Sequence, residues 1–214
     1  MRDPETVITR VRAALARPLP GPEAHRLALP EGLRREDPPD GMPIIGAAVL
    51  LALRFDPATE EWSFPMIRRP DSMERHAGQI ALPGGAIDGG ETPVACALRE
   101  AEEEIGLTAD RTEILGPLTP FVIPVSGYRV DPFVGMVLEP VTYRPQETEV
   151  EQVLIADPDR LAREGPRLRL PRERSGMLRE FPAYDVEGEL VWGATALILA
   201  EFLEIWREVR GIGR

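Results

Sequence analysis

The stretch that most limits what this chain can become runs from Gly84 to Leu107, GGAIDGGETPVACALREAEEEIGL. Thr92-Pro93 is a helix start, with a hydroxyl at the N-cap and proline at the first helical position, where its missing N–H costs nothing. Gly106 is the matching stop, because glycine takes the left-handed conformation that ends a helix. Between them, Pro93 to Ile105 holds good helix formers and no glycine. On such a helix Glu100, Glu103 and Glu104 stand at i, i+3 and i+4 and share one face. Leu98, Ala101 and Ile105 make another face, suited to packing on a sheet.

Like charges at this spacing repel and cost helix stability. Only Arg99 stands near enough to offset them. Such a cluster gains most by sharing a hard divalent cation. Mg²⁺ or Mn²⁺ held there would bridge to phosphate oxygens, neutralise developing charge and activate water. The preceding turn, Leu82-Pro83-Gly84-Gly85, lets backbone approach metal and phosphate, since glycine has no Cβ. Three glutamates alone would read as a solvated acidic face. The glycine turn, with Glu91 and Arg99 at fixed offsets, makes it a site. Glu91 and Arg99 read as orienting residues that pair with carboxylates or hold the loop.

Read from Gly85, the spacing is glycine, five residues, Glu91, seven residues, then Arg99-Glu100-Ala101-Glu102-Glu103-Glu104-Ile105-Gly106-Leu107. This resembles the signature of the Nudix hydrolases, G-x5-E-x7-R-E-U-x-E-E-x-G-U, where U is a bulky aliphatic residue. Small Ala101 stands at the first U. The resemblance implies an α/β/α sandwich with a mixed β-sheet and a loop-helix-loop metal site. It implies a metal-dependent enzyme that cleaves a diphosphate linked to another group. Glu100, Glu103, Glu104 and the Gly84 carbonyl would hold Mg²⁺ or Mn²⁺. Gly85, Glu91, Arg99 and Gly106 would support the site. Glu103 is placed to handle the proton of the attacking water.

The flank before the signature, Arg75-His76-Ala77-Gly78-Gln79-Ile80-Ala81-Leu82-Pro83-Gly84-Gly85, resembles the coenzyme A pyrophosphatases. Their motif is roughly L-L-T-x-R-(S/A)-x3-R-x3-G-x3-F-P-G-G. Gly78, Pro83, Gly84 and Gly85 match, and Arg69 falls on the first arginine. Met66-Ile67, Pro70 and Leu82 depart from it. Glu74 stands where the second arginine belongs, with Arg75 one place later. Later segments, FVIPVSGYRVDPFVGMV from Phe121, Glu149-Val150 and the WGATA from Trp192, also look like that subfamily, so the resemblance spans Ile44 to Phe202. It implies hydrolysis of coenzyme A to 3′,5′-ADP and 4′-phosphopantetheine. Arg69, Arg75, His76 and Gly78 would meet the substrate, the arginines through guanidinium forks suited to phosphate. Glu149 would add a carboxylate as base or extra ligand, with Glu147 and Glu151 as alternatives. For assembly, the family suggests a homodimer. A second reading keeps the chemistry and takes ADP-ribose, NADH or another nucleoside diphosphate derivative, which the Glu74/Arg75 irregularity favours. A third is a module that binds a nucleotide without cleaving it. Such modules typically lose catalytic glutamates, and this chain keeps them.

Composition fits a small-molecule enzyme. The net charge of −11 argues against nucleic acid as a partner and calls for cations in a site that binds a diphosphate. All 25 basic residues are arginine, which reads as coding bias. The single cysteine, Cys96, excludes an internal disulfide and reads as a small buried hydrophobe. No run of 18 apolar residues offers a membrane span, and a cytoplasmic enzyme is expected.

Residues 1–41 read as an N-terminal helix, with Val7, Ile8, Val11 and Leu15 on one side, followed by a Pro-rich surface arm. His25 in that arm reads as incidental. Residues 42–214 read as the catalytic domain. Its expected strands begin with Ile44 to Leu53 and Trp62 to Arg68. A long strand from Tyr128 to Leu138 is expected to bend or bulge at Pro132 and Gly135. An amphipathic helix is expected from Gly193 to Val209.

Overall fold

The apolar run after Pro43 becomes the middle of a mixed sheet. A computed structural model describes residues 3–34, 38, 39, 41–72, 77–138, 140–174 and 176–213. In chain order the elements are helices α1 (Pro4–Leu15) and α2 (Gly21–His25), then strands β1 (Ile45–Asp56), β2 (Glu61–Arg68), β3 (Ile80–Ala81) and β4 (Gly84–Ala86). Helix α3 (Pro93–Ile105) precedes β5 (Thr112–Pro117), β6 (Phe121–Val122), β7 (Tyr128–Val137) and β8 (Gln152–Ala156). Helix α4 (Pro158–Glu164), strands β9 (Leu168–Arg174), β10 (Met177–Val186) and β11 (Glu189–Val191), and helix α5 (Gly193–Arg210) complete the chain.

The main sheet follows the order β3-β2-β1-β7-β5, with β4 on β1, β6 on β7 and β8 on β2. β1 runs parallel to β7, from the pair Ile45–Tyr128 to Leu53–Met136, and antiparallel to β2 and β4. Side chains alternate across β1. Ala48, Leu50 and Ala52 pack with Cys96, Ala97, Ala101 and Ile105 of α3. Leu51 and Leu53 enter the opposite core, shared with α1 and α5. Both faces are covered, which is why the strand reads as an unbroken apolar run. The result is the expected helix–sheet–helix layering. Strands β9 to β11 form a separate antiparallel sheet.

Asp3 caps α1 by accepting from the Thr6 amide at 2.9 Å, and Val7, Val11, Ala14 and Leu15 are buried. The stretch from 17 to 41 contains α2 and a 3₁₀ turn at Arg26–Ala28, and buries Ala24, His25 and Ala28. Helix α4 is locked to α5 through Asp159. That carboxylate accepts from Trp206 Nε1 at 2.7 Å and from Arg210 Nη2 at 2.9 Å.

Two details differ from the sequence reading. The register shift lies not on β7 but opposite it, on β5 between Ile114 and Gly116. Gly135 serves close packing instead, since a Cβ there would stand 3.0 Å from Thr112 Cγ2 and 3.2 Å from Leu50 Cδ1. The expected turn at Gly84-Gly85 is strand β4, laid on β1. A Cβ on Gly84 would fall 2.4 Å from the Ala48 carbonyl oxygen, so only glycine permits that approach. No helix among the described residues is long and apolar enough to cross a membrane.

Candidate active site

Helix α3 begins and ends as its sequence dictates. Thr92 Oγ1 accepts from the Ala95 amide at 3.2 Å, and Gly106 closes the helix at φ 70°. The Gly106 and Leu107 amides donate to the Glu102 and Ala101 carbonyls. Cys96, Ala97, Ala101 and Ile105 bury one face. Burial, reinforced by Glu91 and Glu100, pushes the Cys96 thiol up to about 11, which makes it unreactive.

The three glutamates of the acidic face are not equivalent. Glu104 is 1% exposed, while the Glu103 side chain is 56% exposed. Glu104 Oε2 accepts from the Gly84 amide at 2.9 Å. Its Oε1 is buried with no hydrogen-bond partner among the described residues, and Arg69 Nη2 stands 3.8 Å away. Burial first, then the charges of Glu100 and Glu149, push Glu104 up to about 8 against the pull of Gly84 and Arg69. Glu100 is also raised by burial, with Arg99 opposing and Glu103 and Glu149 adding to it. A Cβ on Gly85 would meet Glu100 Oε1 at 2.4 Å. Gly84 and Gly85 therefore make room for different partners: the β1 backbone and the Glu100 carboxylate.

Arg99 ties the face together. Its Nη2 donates to Glu91 Oε1 at 2.8 Å and its Nε to Glu91 Oε2 at 3.2 Å. Its Nη1 donates to Glu100 at 2.8 Å and Glu103 at 2.9 Å, and Nη2 reaches the Ala86 carbonyl at 3.2 Å. Glu91 also accepts from the Asp88 amide at 2.8 Å. The Arg99 hydrogen bonds, then that amide, hold Glu91 down at about 2. The same contacts raise Arg99 above its ordinary value.

Glu149 reaches this face through backbone. The Arg144 amide donates to the Ile105 carbonyl and the Gln146 amide to the Glu104 carbonyl, each at 2.9 Å. The Glu149 and Val150 amides then fold back onto the Gln146 carbonyl. Glu149 is exposed, and its charge acts on both Glu100 and Glu104. Glu151 instead pairs with Arg68. Arg69 and Gly78 lie at the two ends of one loop. The Arg69 amide donates to the Gln79 carbonyl and the Gly78 amide to the Arg69 carbonyl, each at 3.1 Å. Gly78 has φ +64°, and a Cβ there would stand 2.5 Å from Asp71 Oδ1. Arg75 and His76, expected at the substrate, lie outside the described residues, as does Glu74.

No group of three or more His, Cys, Asp or Glu side chains among the described residues is arranged as a ready metal cage. Arg99 spans Glu100 and Glu103 in this arrangement. The donors nonetheless suit a hard divalent ion. They are carboxylates, neighbouring carboxylate charge adds to burial in raising the proton affinity of Glu100 and Glu104, and one Glu104 oxygen is buried without a hydrogen bond.

A cavity of about 600 Å³ opens beside Gly84, Gly85 and Arg69 and extends over an apolar lining that includes Leu29, Phe121 and Leu197. Its size is typical of a small-molecule site.

Comparison with known proteins agrees with this geometry. Residues 41–181 match the NUDIX domain family. The chain belongs to the Nudix family. It is 38% identical over 151 residues to the uncharacterized Nudix hydrolase NudL of Escherichia coli O6:H1, covering 64% of this chain and 77% of that protein. NudL of Shigella boydii serotype 18 matches with the same identity and coverage. In three dimensions it resembles the Nudix hydrolase RenU of M. smegmatis, with a TM-score of 0.51 at 20% identity, covering 87% of this chain and 96% of that one. A MutT/nudix family protein of Enterococcus faecalis gives 0.53 at 16% identity, covering 82% and 71%. These two likenesses speak to the fold. The protein is a Nudix hydrolase, an enzyme of the pyrophosphate-hydrolysing kind.

Outside the Nudix signature, sequence reasoning missed His25 and Glu201, both 0% exposed and in contact with each other. Glu201 had a signal: it lies on α5 in the same helical stripe as buried Leu197 and Ile205. The cavity lining at Leu29 carried no local signal, whereas Trp192 opens the WGATA segment.

Proposed function

We propose that this Nudix hydrolase cleaves the diphosphate of coenzyme A or its thioesters by attack of water on phosphorus. The products are 3′,5′-ADP and 4′-phosphopantetheine or its acyl form. The observation that carries the reading is the buried Oε1 of Glu104, which has an ion pair with Arg69 but no hydrogen bond, beside Glu100 and next to a large, mostly apolar cavity. Mg²⁺ or Mn²⁺, held by Glu100, Glu103, Glu104 and the Gly84 carbonyl, would neutralise phosphate charge and acidify water.

The chain's own groups divide the remaining work. Glu103, the most exposed of the three, takes the proton of the attacking water. Glu149 adds negative charge beside Glu100 and Glu104, as a second base or a further ligand. Arg69, partly buried next to Glu104 and lining the cavity, contacts a substrate phosphate. Arg75 and His76 are proposed for the same task, and Gly78 shapes the loop that carries them. Arg99 and Glu91 aim Glu100 and Glu103. The flanking motif and the mostly apolar cavity lining support a pantetheine-bearing substrate. A homodimer in the cytoplasm belongs to the same proposal.

Hydrolysis of ADP-ribose or NADH is the second reading, favoured by Glu74 standing where the subfamily has arginine. The test is a substrate panel with Mg²⁺ or Mn²⁺: coenzyme A, acetyl-coenzyme A, NADH, ADP-ribose and diadenosine polyphosphates, with products separated. Release of 3′,5′-ADP from coenzyme A at the highest kcat/KM supports the first reading. A higher value for ADP-ribose or NADH replaces it with the second.

A further inference from the structure

The cavity is walled by β1 and β4 beside the catalytic helix, by β6 and, on another side, by segments distant from that helix in sequence. Ala28 and Leu29 contribute from the N-terminal arm, and Ala194, Leu197 and Ile198 from α5. All five lie outside the segment shared with the Nudix family, residues 41–181. Most of the lining comes from the shared segment, and these flanking residues close one side of it.

One buried carboxylate joins those flanks. Glu201 on α5 accepts from the Gly21 amide at 3.0 Å, the Thr119 amide at 3.1 Å and Thr119 Oγ1 at 2.6 Å. His25 Nε2 stands 3.3 Å from Oε2, the oxygen that also accepts from the Thr119 amide, and donates to it, since an ionised carboxylate can only accept. Burial acts to raise the Glu201 pKa, but these donors outweigh it and hold the group ionised. A buried charge is costly unless its hydrogen bonds are complete, and these four fix it in one geometry. His25 lies three residues before Ala28, and its ring meets the edge of Phe121, a cavity-lining residue, at 5.6 Å. An apolar side chain at 201 could fill the volume but could not fix the arm's register.

We propose that Glu201 and His25 are positioning residues that hold the N-terminal arm as a wall of the cavity, and that this wall selects substrates carrying an aliphatic group. The inference rests on the diphosphatase reading and specifies its substrate class as diphosphate esters bearing an acyl or alkyl chain. Each buried methylene should raise kcat/KM roughly fourfold until the cavity is filled.

The test has two arms on the full chain. In the first, kcat and KM are measured with Mn²⁺ for coenzyme A and its acetyl, butyryl, hexanoyl and octanoyl thioesters. In the second, butyl, hexyl and octyl phosphate are titrated calorimetrically with EDTA present. The variants are His25→Phe, which keeps the ring and loses the donor, His25→Gln, which restores a donor, and Ala194→Phe, which fills the cavity. Wild type should gain at least about tenfold in kcat/KM from acetyl to hexanoyl, mainly in KM, and bind octyl phosphate more tightly than butyl. His25→Phe should flatten the chain-length profile, and His25→Gln should recover it. Ala194→Phe should move the optimum to shorter chains. A flat profile in wild type, or an unchanged one in a folded His25→Phe or Ala194→Phe protein, overturns the inference and leaves the diphosphatase reading intact. Failure to hydrolyse any coenzyme A substrate, with chain-length-dependent binding of the alkyl phosphates, overturns the coenzyme A reading and leaves the cavity assignment standing.

Discussion

The Gly84 amide donates to one oxygen of Glu104 at 2.9 Å, while the other oxygen of that carboxylate lies buried without a hydrogen bond. Half of this carboxylate is anchored to the backbone and half is left open. Ionising this carboxylate in the metal-free chain costs stability, because it is buried with one oxygen lacking a hydrogen bond. Such a cost is reasonable at a site where a cation completes the coordination.

The first prediction follows from the proton on Glu104. Its folded pKa, about 8, lies above its ordinary value of 4.5. Between those values the folded state holds a proton that the unfolded state has lost. This group's contribution therefore falls as pH rises from 4.5 to 8. Thermal unfolding of EDTA-treated protein should show Tm limited at pH 8 by this group, and Glu104→Gln should remove that part of the slope. Mn²⁺ should stabilise wild type more at pH 8 than at pH 5.5, because binding requires the ionised form. An identical Mn²⁺ shift at both pH values contradicts the assignment.

Arg99 and Glu91 should behave as one unit. Arg99→Lys keeps the charge but cannot donate to Glu91, Glu100, Glu103 and the Ala86 carbonyl together. Activity or metal affinity should fall by roughly 10- to 100-fold, as for other groups that orient ligands. Glu91→Gln should fall in the same direction, and the double variant should cost less than the product of the two. Metal titration with activity as readout checks this, and independent effects would argue against the shared clamp.

The two glycines should separate folding from function. Gly85→Ala meets the end of a flexible side chain, Glu100, and should displace that carboxylate. Its Tm should shift by only a few degrees, about 1 kcal/mol, while kcat/KM falls by an order of magnitude or more. Gly84→Ala meets the Ala48 backbone and should lower stability itself. Unfolding curves beside kinetics distinguish them, and full activity in Gly85→Ala would contradict the placing of Glu100.

Acid should unlock α4 from α5. Burial acts to raise the Asp159 pKa, but the hydrogen bonds from Arg210 and Trp206 outweigh it and leave the group below its ordinary value. Its contribution is present above that value and is lost as pH falls through the folded pKa. Asp159→Asn should cost on the order of 2 kcal/mol at pH 7 and progressively less below pH 4. Tm measured for both proteins across that range checks the sign.

Glu103→Gln should lower turnover by at least about 100-fold, through loss of a proton acceptor and a ligand charge. Near-wild-type kcat would remove Glu103 from the role of base and pass it to Glu149.

What was legible in the sequence was local. Thr92, Pro93 and Gly106 set the helix, and the Glu91–Arg99 pairing could be read as an orienting contact because their offsets are fixed by one loop and one helix. The unequal burial of Glu103 and Glu104 was not legible, because it depends on β4 lying against β1 and on the loop through Gln146 covering the helix end. Strand β4 is three residues long and gains its identity only from its partner. The His25–Glu201 contact joins residues 176 apart in sequence, so no window could contain it.

The most direct test of the account is metal-dependent product release. Protein stripped with EDTA is given coenzyme A, and 3′,5′-ADP is quantified as Mn²⁺ or Mg²⁺ is added. The account predicts no turnover without the ion and a saturable return of turnover with it, abolished in Glu104→Gln. Turnover that ignores the ion, or coenzyme A left intact at saturating ion, would contradict it.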